Sequence, residues 1–350
     1  MSRHLGRTVL ALAALAFAMP AFANPACDAA SAYSAARHGA AVLVMQNGKV
    51  ICETFAGEGS VDNRMELASG TKSFTGMMLA AAVQDKLLTL DEPVAKTLPE
   101  WREDPVKSQV TIRQLLSLTS GLVSQIGVPP EYAKAITMPL TYAPGERFSY
   151  GPGPYQVFGE VMKRKLAAAG QPADPLSYMK RRFLDPLGMT RIQWRRTPGG
   201  DPYLPQGAIL TAREWAIYGE FVRGGARIKG KAVVDPATFK ALFVGSKANP
   251  AYGLTWWLPH APVRPDPVSA TADFAIRSSE LPADLVVAAG AGNQRLYVIP
   301  SRGLTIVRLA SFDMKSLVSP RALSAIAGPS DAASRWSDTD FLLTLLPAKN

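Results

Sequence analysis

The stretch Glu66-Leu67-Ala68-Ser69-Gly70-Thr71-Lys72-Ser73-Phe74-Thr75-Gly76-Met77-Met78 decides how this chain is read. From Lys72 to Leu88 the residues are helix formers, apolar on nearly every face until Gln84. A helix without a polar face is buried inside a domain rather than laid on its surface. Residues three apart share a helix face, so Lys72 projects beside Ser69. Burial lowers a lysine pKa and lets the neutral amine act as a base toward a hydroxyl. The helix N-terminus adds free N–H groups and a positive dipole end where an oxyanion would form. Ser69 and Lys72 are therefore candidate nucleophile and base; the plainer alternative is a capping serine and an ordinary lysine. The chain contains its own control. Ser177-Tyr178-Met179-Lys180 has the same spacing but lies in polar sequence running into Arg181-Arg182, with no apolar helix behind it, and reads as structural.

Downstream, Pro144-Gly145-Glu146-Arg147-Phe148-Ser149-Tyr150 combines a Pro-Gly turn with an aromatic step. It delivers Tyr150 to the mouth of a helix expected over 154–167, with Pro154 in its first turn. A tyrosine beside a lysine ammonium gives up its proton more easily and can relay it. Tyr150 is thus a candidate third catalytic group, the alternative being simple packing.

Farther out, residues 40–46 and 49–55 read as strands joined by Asn47-Gly48, the strongest short hairpin signal. Helices are expected over 111–118 and 334–346, and from Thr211 to Arg223, where Thr211 and Glu214 form a capping box. Strands are expected at 252–258, 284–289, 295–299 and 304–310, and the Pro-rich 259–268 reads as a surface loop. Strands at both chain ends with helices between them predict an α/β fold. One antiparallel sheet (regions about 38–70 and 250–350) is flanked by helices and interrupted by a large helical insertion (about 71–249). No internal repeat is present.

Residues 1–23, MSRHLGRTVLALAALAFAMPAFA, have a basic start at Arg3 and Arg7, an apolar run from Val9 to Ala18 and an Ala21-Phe22-Ala23 cleavage site. That pattern is a secretory signal peptide cut after Ala23, with residues 24–350 as the mature domain, periplasmic or secreted. The apolar run is too short to span a membrane. Asn24-Pro25-Ala26 before Cys27 lacks the aliphatic residue a lipoprotein signal needs. Removing 23 of 350 residues leaves 327, and losing the two arginines lowers the net charge from +10 to +8. An exported protein rarely meets nucleic acid, so the basic balance reads as surface charge. An oxidising compartment favours a Cys27–Cys52 disulfide tying a loose N-terminus to a strand; the alternative is two unpaired small hydrophobes. After the leader only His38 and His260 remain, neither near other ligand-type residues, so no metal site can be read. Neither a G-x-S-x-G elbow nor a phosphate-binding glycine loop occurs.

Ser69-x-x-Lys72 and Tyr150 do not stand alone. Val110-Thr111-Ile112-Arg113-Gln114-Leu115-Leu116 through Thr119-Ser120-Gly121-Leu122, Asp185-Pro186-Leu187-Gly188-Met189-Thr190 and Tyr252-Gly253-Leu254-Thr255-Trp256-Trp257 follow in order. Together these segments resemble the penicillin-recognising serine hydrolases, in the branch of class C β-lactamases, D,D-peptidases and family VIII esterases, over about residues 38–310. The resemblance implies a β-lactamase/transpeptidase-like fold and an acyl-enzyme on Ser69. It also implies an oxyanion hole from the N–H groups of Ser69 and Ala291, and no cofactor.

Two family features are missing. The family's Tyr-x-Asn reads Tyr150-Gly151-Pro152 here, and its Lys-Thr-Gly or His-x-Gly reads Ala288-Ala289-Gly290, with no cation through Gln294. β-Lactamases hold their substrate with that amide and that cation. Similar departures occur in the family's esterases and in 6-aminohexanoate-dimer hydrolases, which the run from Gly290 to Pro300 resembles most. The expectation is an exported serine hydrolase of a small ester or amide. The alternatives are a β-lactamase or D,D-carboxypeptidase, and a non-catalytic envelope-binding module. Gln125, Gly290 and Gly292 are candidate substrate contacts; Gln125 is otherwise an exposed loop residue, and the two glycines otherwise serve a tight strand connection.

Overall fold

A five-stranded antiparallel sheet gathers the two ends of the chain in this computed structural model, which describes residues 24–122, 126–264, 268–313 and 335–346. The strands are β1 (Gly39–Gln46), β2 (Lys49–Phe55), β3 (Val286–Gly290), β4 (Gln294–Ile299) and β5 (Leu304–Ala310), ordered β2-β1-β5-β4-β3. The β1–β2 hairpin closes through Asn47 (φ +50) and Gly48 (φ +79), the left-handed pair its dipeptide announces. β5 is buried at every residue, because helices cover both faces of the sheet.

One face carries α1 (Pro25–Ala35) and a C-terminal helix. The other carries the helix Ala212–Arg223, whose Gly219 lies so close to the sheet that a Cβ would stand 2.4 Å from Thr305 Cγ2. In chain order the remaining long helices are α2 (Lys72–Gln84), α3 (Gly153–Ala168), α4 (the Ala212–Arg223 helix) and α5 (Asp338–Leu345, the C-terminal one). α4 begins with the capping box of Thr211 and Glu214 that the sequence announces. The fold is the expected α/β, β-lactamase/transpeptidase-like arrangement.

α1 is absent from the sequence-based expectation, although Asn24 as N-cap and Pro25 in the first turn announce it. Cys27 on α1 is bonded to Cys52 on β2, with a Cα–Cα separation of 5.6 Å. α2 is buried from Lys72 to Ala82 but ends at Gln84, four residues before Leu88. Lys86 turns left-handed (φ +58), with Leu87 N donating to Ala82 O and Lys86 N to Val83 O. This is a Schellman closure made without glycine, and composition gives no warning of it.

The expected strand 252–258 is corrected outright. The segment folds back on itself: Tyr252 pairs with Trp257, Gly253 N donates to Trp256 O at 2.9 Å, and Thr255 has φ +81. Trp257 alone reaches the sheet edge, exchanging hydrogen bonds with Val287. The leader 1–23 and Gln125 lie outside the described residues.

Candidate active site

Ser69 stands on one 3-10 turn, Ala68–Thr71, that runs directly into α2. The turn is anchored to a small three-stranded sheet of Met65–Glu66, Ala208–Leu210 and Gln193–Trp194. Leu67 N donates to Ala208 O at 3.0 Å, and Ala208 N donates to Thr71 Oγ1 at 3.1 Å. Ala68 takes φ +46, a left-handed conformation that is costly for a residue with a Cβ and characteristic of functional turns. Lys72 is the first α-helical residue and Ser69 precedes the α-helix. Their side chains still meet because residues three apart eclipse in a 3-10 turn.

Lys72 is 3% exposed. Its Nζ donates to Ser69 Oγ at 2.8 Å and to the carbonyl of Pro205 at 3.2 Å. Both acceptors are uncharged, and no carboxylate pairs with Lys72 among the described residues. Desolvation therefore acts unopposed and pulls its pKa down to about 7. The rings of Tyr150 and Tyr155 face the amine, with centroids 4.8 and 5.4 Å from Nζ.

Tyr150 is delivered by an irregular segment held from outside. Gly145 N donates to Thr119 O and Ser149 N to Leu118 O, at 2.7 and 2.9 Å. The Tyr150 ring stacks on Trp257 (5.6 Å, 25°) and meets Tyr252 edge-on (6.1 Å, 86°). Tyr155 and Tyr252 share a hydrogen bond of 2.7 Å, and burial keeps both phenols well above the usual tyrosine range, hence neutral. At the third position of Tyr150-Gly151-Pro152, where a Tyr-x-Asn motif would carry an amide, Pro152 is instead the N-cap of α3: its carbonyl accepts from Tyr155 N and Gln156 N.

Ser69 and Tyr150 open onto a cleft also lined by Ile126, Gln206, Trp257, Phe274, Gly290, Ala291 and Arg295. Ala291, the proposed second oxyanion donor, is the first residue of the turn between β3 and β4. Gly290 packs against the Ser69 turn so tightly that a Cβ would stand 2.0 Å from Leu67 O. Gly292 has φ +70, and a Cβ there would meet Phe312. Both glycines thus have steric reasons that account for them without a substrate.

Three residues of the site escaped the sequence reading. Pro205 contributes only a backbone carbonyl from a loop without a code. Tyr155 follows Pro154 in an ordinary helical pattern. Arg295 stands one residue beyond the stretch that lacks a cation, and it lines the cleft.

The control motif sits elsewhere and is wired differently. Ser177 Oγ donates to Asp174 Oδ2 at 2.7 Å, and Lys180 pairs with Asp185 at 3.0 Å on the surface.

Fold and family together define a serine hydrolase. The chain belongs to the Beta-lactamase family, which it matches over residues 26–321. It is 28% identical to Protein flp of Staphylococcus aureus (strain COL) over 180 residues, 45% of this chain and 35% of that protein. The aligned region thus spans about a third of that relative's length. Among solved structures it is similar to a Bacillus anthracis protein assigned as a 6-aminohexanoate-dimer hydrolase (TM-score 0.65, 14% identity, 88% of this chain and 79% of that one). It is also similar to EstCE1, a hydrolase with promiscuous acyltransferase activity (TM-score 0.61, 18% identity, 87% of this chain and 98% of that one). These two likenesses are likenesses of fold. No helix of the described residues is long and apolar enough to cross a membrane.

Proposed function

We propose that the protein hydrolyses a small uncharged carboxylic ester or amide through an acyl-enzyme on Ser69. The observation that carries this reading is the 2.8 Å contact between Ser69 Oγ and a buried lysine that has no carboxylate partner among the described residues. Near pH 7 a large share of Lys72 is neutral, so its amine takes the Ser69 proton as Oγ attacks the substrate carbonyl. The oxyanion accepts hydrogen bonds from the N–H groups of Ser69 and Ala291. Lys72, coupled to Tyr150, returns the proton to the departing oxygen or nitrogen. Water then gives a proton to the same pair as it attacks the acyl carbon, and the pair returns that proton to Ser69 Oγ as the acyl–oxygen bond breaks and the carboxylic acid leaves.

Substrate class follows from the cleft wall. Trp257, Phe274, Val268 and Ile126 offer apolar surface, and Arg295 is the one charged lining residue among those described. Its guanidinium is already committed to Asp338 at 2.6 Å. A substrate carboxylate, which β-lactams carry, finds no uncommitted cation there, which favours neutral esters and amides. The likeness to EstCE1 and to the 6-aminohexanoate-dimer hydrolase assignment points the same way. The Cys27–Cys52 bond and the leader 1–23 support export to an oxidising compartment. The test is hydrolysis of p-nitrophenyl butyrate by the wild type and by Ser69→Ala. The wild type should turn over and the variant should not; undiminished hydrolysis by the variant removes Ser69 from the mechanism.

A further inference from the structure

The turn that carries Ala291 is held by two buried guanidinium groups, one of which, Arg295, also lines the cleft. Arg295 (5% exposed) donates from Nη1 to the carbonyls of Gly290 at 2.9 Å and Gln294 at 3.2 Å. Arg308 (0% exposed), on neighbouring β5, donates to the carbonyls of Gly292 at 3.1 Å and Asn293 at 2.9 Å. Four carbonyls in the five residues from Gly290 to Gln294, the turn and the two strand ends that flank it, are thus held by arginines. The turn needs holding, because Gly292 and Asn293 are both left-handed, at φ +70 and +59. Arg295 is itself fixed by Asp338 on α5, at 2.6 Å from Nε and 3.3 Å from Nη2, and by Asn293 Oδ1 at 3.3 Å.

One of these contacts bears on the chemistry. The Gly290 carbonyl and the Ala291 N–H belong to the same peptide unit. That unit is trans, so the two groups point in opposite directions. Holding the carbonyl toward Arg295 turns the N–H away from Arg295. A charged donor on the carbonyl also polarises the peptide and strengthens its N–H as a donor. We propose that Arg295 is a positioning residue for the oxyanion hole: by holding the Gly290 carbonyl it aims the Ala291 N–H at the carbonyl of an ester or amide bound beside Ser69. Asp338 holds the guanidinium in place for this. The proposal rests on the acyl-enzyme reading above and adds to it a clamp that reaches from the C-terminal helix to the reacting oxygen.

A double-mutant cycle on the full chain tests it, with p-nitrophenyl butyrate as probe. Arg295→Lys keeps a positive charge beside Asp338 but loses the planar fork. Ala291→Pro removes the N–H itself. Proline suits the first residue of a 3-10 turn, and Gly290 (φ −126, ψ +159) already has the extended backbone that precedes proline. Arg295→Lys should lower kcat by about 10- to 100-fold with KM nearly unchanged. Ala291→Pro should lower it by about 10²- to 10³-fold, as loss of one oxyanion donor does. The double variant should be no slower than Ala291→Pro, because Arg295 acts only through that N–H. Wild-type kcat in Arg295→Lys, or losses that multiply in the double variant, overturns the clamp.

If thermal melting shows Arg295→Lys unfolded, the pair Arg295→Met with Asp338→Leu removes both charges together and is read in the same cycle. An inactive wild type whose Ser69 takes no fluorophosphonate overturns the function and the clamp together. An active wild type with an indifferent Arg295→Lys variant overturns the clamp alone.

Discussion

Ser69-Gly70-Thr71-Lys72 and Ser177-Tyr178-Met179-Lys180 have the same spacing, and the fold makes opposite things of them. Lys72 is buried, meets only uncharged acceptors and has a pKa pulled down to about 7. Lys180 is on the surface and faces Asp185. Ser69 Oγ receives a hydrogen bond from its lysine, whereas Ser177 Oγ gives its own hydrogen to Asp174, the N-cap of its helix. A Ser-x-x-Lys motif becomes reactive through what surrounds the lysine. Dry surroundings without a counter-ion make a base, while water and a carboxylate make an ion pair worth little even to stability.

Each prediction presses on that contrast, beginning with the largest effect. Ser69→Ala should lower p-nitrophenyl ester turnover by about 10⁴-fold or more, since losing a nucleophile leaves only binding and the oxyanion hole. Lys72→Ala should lower kcat by about 10²- to 10⁴-fold. In the wild type, kcat/KM should rise with pH through about 7 and then level off, because the proposed mechanism needs the neutral amine of Lys72. Measured against pH, a limb set near the ordinary lysine value would show that Lys72 is not desolvated in solution. Tyr150→Phe keeps the ring on Trp257 but removes the hydroxyl proposed to relay a proton, and should cost about 10²-fold in kcat.

A smaller effect concerns stability. The folded-state pKa of Lys72 lies below its unfolded value. Folding therefore sheds a proton between pH 7 and about 10.5, and the penalty is full below pH 7 and fades as pH rises. Lys72→Met should raise the melting temperature by a few °C at pH 6 and by less at pH 10. Ser177→Ala and Lys180→Met should leave turnover within about twofold of wild type.

Much of the fold was legible because its signals are local. Asn47-Gly48 sets the hairpin by turn chemistry, and Thr211 with Glu214 sets the start of α4 by capping. The apolar stretch after Lys72 announces a buried helix, and that burial is what lowers the lysine pKa. What stayed hidden depends on partners distant in sequence or on a single dihedral. Helix α2 stops at Gln84 because Lys86, two residues on, is left-handed without being glycine. The aromatic run 252–258 has strand composition, yet Gly253 abuts Leu242 O and the segment bends. Pro205 enters the site through a carbonyl, which carries no side-chain signature. Arg295 meets Asp338 across 43 residues, a pairing that no local pattern encodes.

The proposed chemistry requires that Ser69, and not Ser177, be an activated nucleophile. The direct test is to incubate the wild-type protein with a fluorophosphonate at pH 8, digest it and weigh the peptides. The expected result is a phosphonyl adduct on the peptide containing Ser69, none on the peptide containing Ser177, and loss of the adduct in Lys72→Ala. An unmodified Ser69, or equal modification of both serines, would contradict it.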